Sequence, residues 1–122
     1  MEPIFDRAGR TVAWRFRDVI YDLEGRAIGL VHNRAIYSPE GRFLAHFQDG
    51  WVRDEKGAAV ACEEGATGGP LPPVPQPIPA APQHEVRPPT PQFEPTPPLR
   101  FRPIRWSDRN WDDIIGQAQP VG

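Results

Sequence analysis

Four glycines, Gly9, Gly25, Gly41 and Gly57, stand sixteen residues apart, and the residues around them repeat in phase. Ile4, Ile20, Ile36 and Val52 lie five places before each glycine, and Asp6, Asp22, Ser38 and Asp54 three places before. Arg10, Arg26 and Arg42 follow directly, with Ala58 breaking the series. Next come Val12, Ile28, Leu44 and Val60, then Ala13, Gly29, Ala45 and Ala61. Such a period marks a tandem array in which each copy is one supersecondary unit. The alternation of apolar with small or polar residues makes that unit a β-hairpin.

The turns carry their own chemistry. Asp-Arg-Ala-Gly, Asp-Leu-Glu-Gly, Ser-Pro-Glu-Gly and Asp-Glu-Lys-Gly each place a side-chain oxygen at the first turn position and glycine at the fourth. The oxygen bonds the amides that follow, and glycine takes the left-handed conformation that closes a type I turn with a bulge. Pro39 suits the second position through its fixed φ. Between copies, Arg17-Asp18, Asn33-Arg34 and Asp49-Gly50 read as tight two-residue connections. An antiparallel meander of about eight short strands follows. One hairpin is unstable in water, but four can share a core. The expected fold is all-β, with four hairpin repeats of sixteen residues around a pseudo-fourfold axis. Either the Ala13, Gly29, Ala45, Ala61 set or the Val12, Ile28, Leu44, Val60 set faces the centre.

Proline bounds the repeat domain at residues 1–67, since fourteen of the 17 prolines fall between Pro70 and Pro103. A domain this small buries only about 60% of its unfolded surface, so self-association into a homo-oligomer is a cheap source of stability. Residues 68–98 are expected to be a disordered Pro-rich linker, polyproline-like in part. Its Pro-x-x-Pro spacings serve either as a ligand for an aromatic groove or, more simply, as a stiff spacer. Residues 99–122 form a C-terminal docking peptide with a short helix over 110–115, capped by Ser107, Asp108 or Asn110 and ended by Gly116. Trp111, Ile114 and Ile115 share one face of that helix, and Trp106 precedes it. Two tryptophans and two isoleucines on a tail are costly to leave in water. The tail therefore folds back on its own repeats or enters another protein as a tethered peptide.

Charge excludes other classes. With 14 basic and 16 acidic residues the chain lacks the basic excess of a nucleic-acid binder. No run approaches the ~20 apolar residues of a membrane span. A lone Cys62 and a polar Met1 to Arg10 stretch fit a cytoplasmic protein. No catalytic motif stands out, and neither metal nor cofactor is expected. His46 shares its repeat position with Trp14, Leu30 and Cys62, so the four could cluster in space; packing explains that register better than a metal or thiol site of His46 and Cys62, because zinc needs three or four ligands. Arg10, Arg26 and Arg42 form a possible anion-binding ring, set against the plainer reading that each pairs with its turn acid. Phe5, Tyr21 and Tyr37 are core or rim packing.

The units Ile-Phe-Asp-Arg-Ala-Gly-Arg (4–10), Ile-Tyr-Asp-Leu-Glu-Gly-Arg (20–26) and Ile-Tyr-Ser-Pro-Glu-Gly-Arg (36–42) precede a Pro-rich stretch and Trp-Ser-Asp-Arg-Asn-Trp-Asp-Asp-Ile-Ile (106–115). Together they resemble the bacterial 4-fold beta flower domain proteins over nearly the whole chain. The resemblance implies a fold and carries no activity. The fourth copy departs most, with Arg53 for the aromatic and Ala58 for the arginine. The sequence thus points to a non-catalytic protein-interaction module, a rigid β-repeat head with a tethered peptide anchored by Trp106, Trp111, Ile114 and Ile115 in an unidentified protein partner. The alternative is a small-ligand or anion binder using the repeat arginines.

Overall fold

The computed structural model describes residues 1–116. Its eight strands are β1 (Glu2–Phe5), β2 (Thr11–Phe16), β3 (Val19–Tyr21), β4 (Ala27–His32), β5 (Ala35–Tyr37), β6 (Phe43–Gln48), β7 (Trp51–Arg53) and β8 (Ala59–Glu63). Each pairs antiparallel with the next, and β8 returns to β1, so the four hairpins close into a barrel. Closure removes the sheet edges that a row of hairpins would expose.

The tip turns form as their sequences require. Asp6 Oδ1 accepts from the amides of Ala8 and Arg10, Asp22 Oδ1 from those of Glu24 and Arg26, and Asp54 Oδ1 from those of Lys56 and Ala58. Ser38 Oγ takes only the Arg42 amide, at 3.1 Å. The tip glycines have φ between +83° and +94°. At the opposite end Asn33-Arg34 and Asp49-Gly50 have positive φ at both positions, the geometry of a tight hairpin turn that follows strand twist.

A bulge beside each tip resolves which set faces inward. Ile4 pairs with Ala13 while Phe5 pairs with Thr11, so Val12 is the extra residue, and the same shift recurs in the other three hairpins. Two successive side chains then turn toward the axis, and both sets join one core. Ile4, Ile20, Ile36 and Val52 are fully buried there with Ala13, Ala45 and Ala61, and Leu44, Val60, Val12 and Ile28 pack beside them. Gly29 completes the small set, because a Cβ on it would lie 3.1 Å from Ile36 Cγ2. Further along the axis Val31 and Phe47 pack on this core. The same repeat position holds Arg15 and Glu63, which pair at 2.7 Å, with the Arg15 guanidinium 5.9 Å from the Phe47 ring.

The disordered linker expected over 68–98 is instead an ordered belt around the barrel. The carbonyls of Val74, Gln83, Gln92 and Phe101, nine residues apart, lie over Gly9, Gly25, Gly41 and Gly57, where any Cβ would sit 1.9–2.1 Å from the carbonyl oxygen. The amides of Gln76, Glu85 and Glu94 donate to the carbonyls of Gly9, Gly25 and Gly41 at 2.9 Å. Proline does remove donors, but the amides of Gln76, Glu85 and Glu94 remain, each placed where a tip carbonyl waits. The barrel's outer side is also apolar: Phe5, Trp14, Tyr21, Leu30 and Tyr37 point outward and are buried. Phe93 stacks on His32 at 4.1 Å and packs on Tyr37, while His84 packs on Tyr21 and Phe16.

Helix α1 (Trp111–Gly116) is offset by one residue from the expected span. Asn110 caps it: the Asp113 amide donates to Asn110 Oδ1 and the Asn110 amide to Asp113 Oδ2, both at 2.9 Å. The last part of the expected docking peptide, residues 117–122, lies outside the described residues.

Candidate interaction surface

Of the two destinations open to the tail, the structure shows the return to its own barrel. Trp111, Ile114 and Ile115 are buried in the central core beside Leu44 and Val60, so α1 plugs the barrel at its tip end. Trp106 packs edge-on against Trp51, ring centroids 5.4 Å apart, with Phe5, Ala59 and Cys62 around them. The segment joins β8 as a short parallel bridge, Ala59 N donating to Arg105 O at 3.0 Å and Ser107 N to Ala59 O at 2.7 Å.

The fourth repeat is shaped to receive it. In the first two copies the second oxygen of the turn aspartate accepts from arginine Nε, Arg10 to Asp6 and Arg26 to Asp22. Ala58 removes that arginine, and Asp54 Oδ2 accepts from the Ser107 hydroxyl instead. Arg53, where the first three copies have an aromatic, is 2% exposed. It donates to the carbonyls of Gly57 at 2.7 Å, Pro103 at 3.1 Å and Gly68 at 3.1 Å. Burial, with Arg102 nearby, holds its guanidinium pKa below the usual value. Arg53 and Ala58 looked from the sequence only like broken symmetry. They are recognition residues, and their signal was that both departures fall in one copy.

The belt repeats its bonding at the bulges. The Ala27 and Phe43 amides donate to Glu85 Oε1 and Glu94 Oε1, both at 2.7 Å. Gln76 makes a related bond, Nε2 to Ala8 O at 3.1 Å. Tyr21 donates its hydroxyl to Glu85 O at 3.0 Å, and the Tyr37 hydroxyl bonds Thr96 Oγ1. Between tips the belt reaches the opposite turns, where Arg87 grips both carboxylate oxygens of Asp18 and Asn33 bonds Thr96.

The repeat arginines are less available. Arg10 and Arg26 pair with Asp6 and Asp22 at about 3 Å while remaining largely exposed. Arg42 faces a serine turn rather than a carboxylate. A groove of about 340 Å³ between turn 6–10 and residues 106–112 borders only Arg10 of the three. The cluster of all four of His46, Trp14, Leu30 and Cys62 that the repeat register allows does not form. Equivalent positions on a closed barrel point outward around its circumference: Cys62 packs with Phe5 and Trp51, Trp14 and Leu30 form another cluster, and His46 lies against Phe43. Burial pushes the Cys62 thiol up to about 11, aided by Glu63, and holds the His46 imidazole below its usual value. Among the described residues no group of three His, Cys, Asp or Glu is placed to hold a metal.

Most of the large apolar side chains that remain outward lie on the belt. Leu71, Val74, Ile78, Val86, Phe101 and Ile104 are six of the eight large hydrophobic side chains exposed among the described residues. No helix among them is long and apolar enough to cross a membrane. No curated protein and no solved structure matches the chain. The model of the 4-fold beta flower protein family matches residues 2–115, the barrel, belt and plug together, and the chain belongs to that family.

Proposed function

We propose that the protein is a non-catalytic protein-interaction module whose contact surface is the outward side of the belt. The supporting observation is the placement of exposed apolar side chains: Leu71 and Val86 are 87% and 86% exposed on a segment whose other side is hydrogen-bonded to the barrel. A segment held this way binds without first losing conformational freedom, which is a main cost of association. Trp106, Trp111, Ile114 and Ile115 spend their apolar area on their own barrel. Partner contact accordingly moves from the tail to the belt. A bacterial, cytoplasmic setting is part of the proposal, supported by the resemblance of the sequence and by a single buried cysteine. Small-anion binding through Arg10, Arg26 and Arg42 has weaker support, since turn aspartates already engage two of them.

The test is affinity capture from host lysate with full-length wild type and a Val74→Asp/Val86→Asp variant of matched thermal stability, quantified by mass spectrometry. A protein retained by the wild type and lost with the variant supports the belt as the contact surface. The same set with both baits, or none with either, overturns it.

A further inference from the structure

We infer that residues 71–78 of the belt are a polyproline II ridge, and that the protein partner receives it in an uncharged groove lined by aromatic side chains. The inference rests on the belt's outward side being the contact surface and names the chemistry of what meets it.

Exposure along the belt has a period of three. Starting at Leu71, every third residue as far as Ile104 is exposed. Every half-buried residue over the same stretch, Pro73, Pro82, Phe93 and Thr96 among them, lies on one of the other two rows. Three residues per turn is the repeat of polyproline II. It also accounts for the nine-residue step between the carbonyls of Val74, Gln83, Gln92 and Phe101, since nine residues are three whole turns and bring the same side of the belt to each tip glycine. The outward row holds Leu71, Val74, Val86, Phe101 and Ile104, five of the six large apolar side chains that the belt exposes.

At residues 71–78 a second row is open as well: Pro72 and Pro75 are exposed, and Ile78 is 49% exposed. The third row faces the barrel, with Pro73 half-buried and Gln76 bonded through its amide to Gly9 O and through Nε2 to Ala8 O. Leu71-Pro72 and Val74-Pro75 are therefore two apolar-proline pairs, one turn apart, with all four residues outward. In the next two belt units the residue matching Pro75 is His84 or Phe93, whose ring is turned onto a barrel tyrosine. From Pro70 to Gln83 the chain carries no charged side chain. Charge pairing contributes nothing to recognition here, which leaves proline rings and aliphatic side chains on a fixed backbone. Flat aromatic side chains set one turn apart are the surface that meets such a ridge, and the ridge loses little freedom on docking because it is already ordered.

Six of the ten residues 70–79 are proline, whose fixed φ holds the free peptide near the same conformation. Full-length protein serves as bait in host lysate. The probe is a synthetic peptide of residues 70–79, and its control is the same peptide carrying Leu71→Asp and Val74→Asp. A protein retained by the wild-type bait is expected to be released by the probe at a concentration at least tenfold below that of the control. Once purified, that protein is expected to change its tryptophan or tyrosine fluorescence as the probe saturates it. A protein lost with the Val74→Asp/Val86→Asp bait but not released by the probe leaves the belt as the contact surface and overturns this inference alone. Release without a fluorescence change overturns the aromatic groove. If no retained protein responds to either the bait variant or the probe, both readings are overturned.

Discussion

Arg53 donates through one guanidinium to the carbonyl of Pro103 and to that of Gly68, each at 3.1 Å, and so ties the end of the belt to its beginning. The belt is a closed loop around a closed barrel, fastened at one buried cation. Removing that cation leaves three carbonyls, including that of Gly57, short of their donor in a site with little water. Hydrogen bonds to charged groups contribute about 1.5–3 kcal/mol each, net of solvation. Arg53→Ala is expected to destabilise the protein by roughly 2–4 kcal/mol, the range for breaking a buried network. Arg53→Tyr, which restores the aromatic of the other copies, recovers only part of this. Urea unfolding of both variants checks it; a loss under about 0.5 kcal/mol for Arg53→Ala contradicts the buckle.

Gly25 and Gly65 have nearly the same backbone, with φ of +88° and +81°, but different surroundings. A Cβ at Gly25 would lie 1.9 Å from Gln83 O, while at Gly65 nothing comes within 4 Å. Alanine at Gly65 therefore carries only the left-handed penalty of about 1–2 kcal/mol. Alanine at Gly25 carries that penalty and also displaces the belt. Hydrogen exchange at the Glu85 amide is expected to accelerate at least tenfold in Gly25→Ala and to stay unchanged in Gly65→Ala. Equal exchange in the two variants shows that the carbonyl contact does not hold the belt.

Acid weakens the fold through His46. Burial lowers its folded pKa below the unfolded value, so below about pH 6.5 the unfolded chain binds more protons. The stability from its neutral form is present above the unfolded pKa and is lost as pH falls below it. Among the described residues no carboxylate bonds the imidazole to offset this; Phe43 is the ring beside it. His46→Phe is expected to flatten the stability loss between pH 7 and 5, measured by denaturant titration at several pH values. An unchanged slope assigns the loss to other groups.

Cys62 works from the alkaline side. Its thiol is raised to about 11, so the unfolded chain loses this proton first, and stability falls as pH rises from near 9 toward 11. The native thiol is accordingly expected to react with alkylating reagents at pH 8 at least a hundredfold slower than in urea, because reaction needs the thiolate. A native rate within tenfold of the unfolded one contradicts the packing around Phe5 and Trp51.

The sixteen-residue period was legible because each hairpin is built by local turn chemistry, readable from Asp6 and Gly9 or Asp22 and Gly25 alone. The belt has a period as well: Pro73, Pro82 and Pro91, then Pro79, Pro88 and Pro97, at nine-residue steps. It was hidden because prolines crowd the whole stretch, and a nine-residue step has meaning only against a barrel whose tips recur every sixteen. The outward aromatics pointed the same way. Phe5, Tyr21 and Tyr37 alternate with the core isoleucines, and so many large rings on a barrel exterior require a cover. The core was ambiguous for a different reason, since a bulge cancels the strict alternation on which inward-facing positions are assigned.

Trp111 fills the tip end of the barrel at 4% exposure, between Ile114, Ile115 and the ring of Leu44 and Val60. Truncating a buried tryptophan costs about 3–5 kcal/mol through lost transfer energy and the cavity left behind. A six-residue helix cannot hold itself together once its anchor is gone, so Trp111→Ala is expected to release α1 while the belt bonds at Glu85 and Glu94 persist. Trp106→Ala acts elsewhere, at Trp51 on the outer side, and leaves α1 seated. Hydrogen exchange on the two variants separates these effects: Trp111→Ala deprotects the Ile114 amide and spares the Glu85 amide. If both amides lose protection together in Trp111→Ala, plug and belt unfold as one unit and the barrel does not retain its cover without the plug.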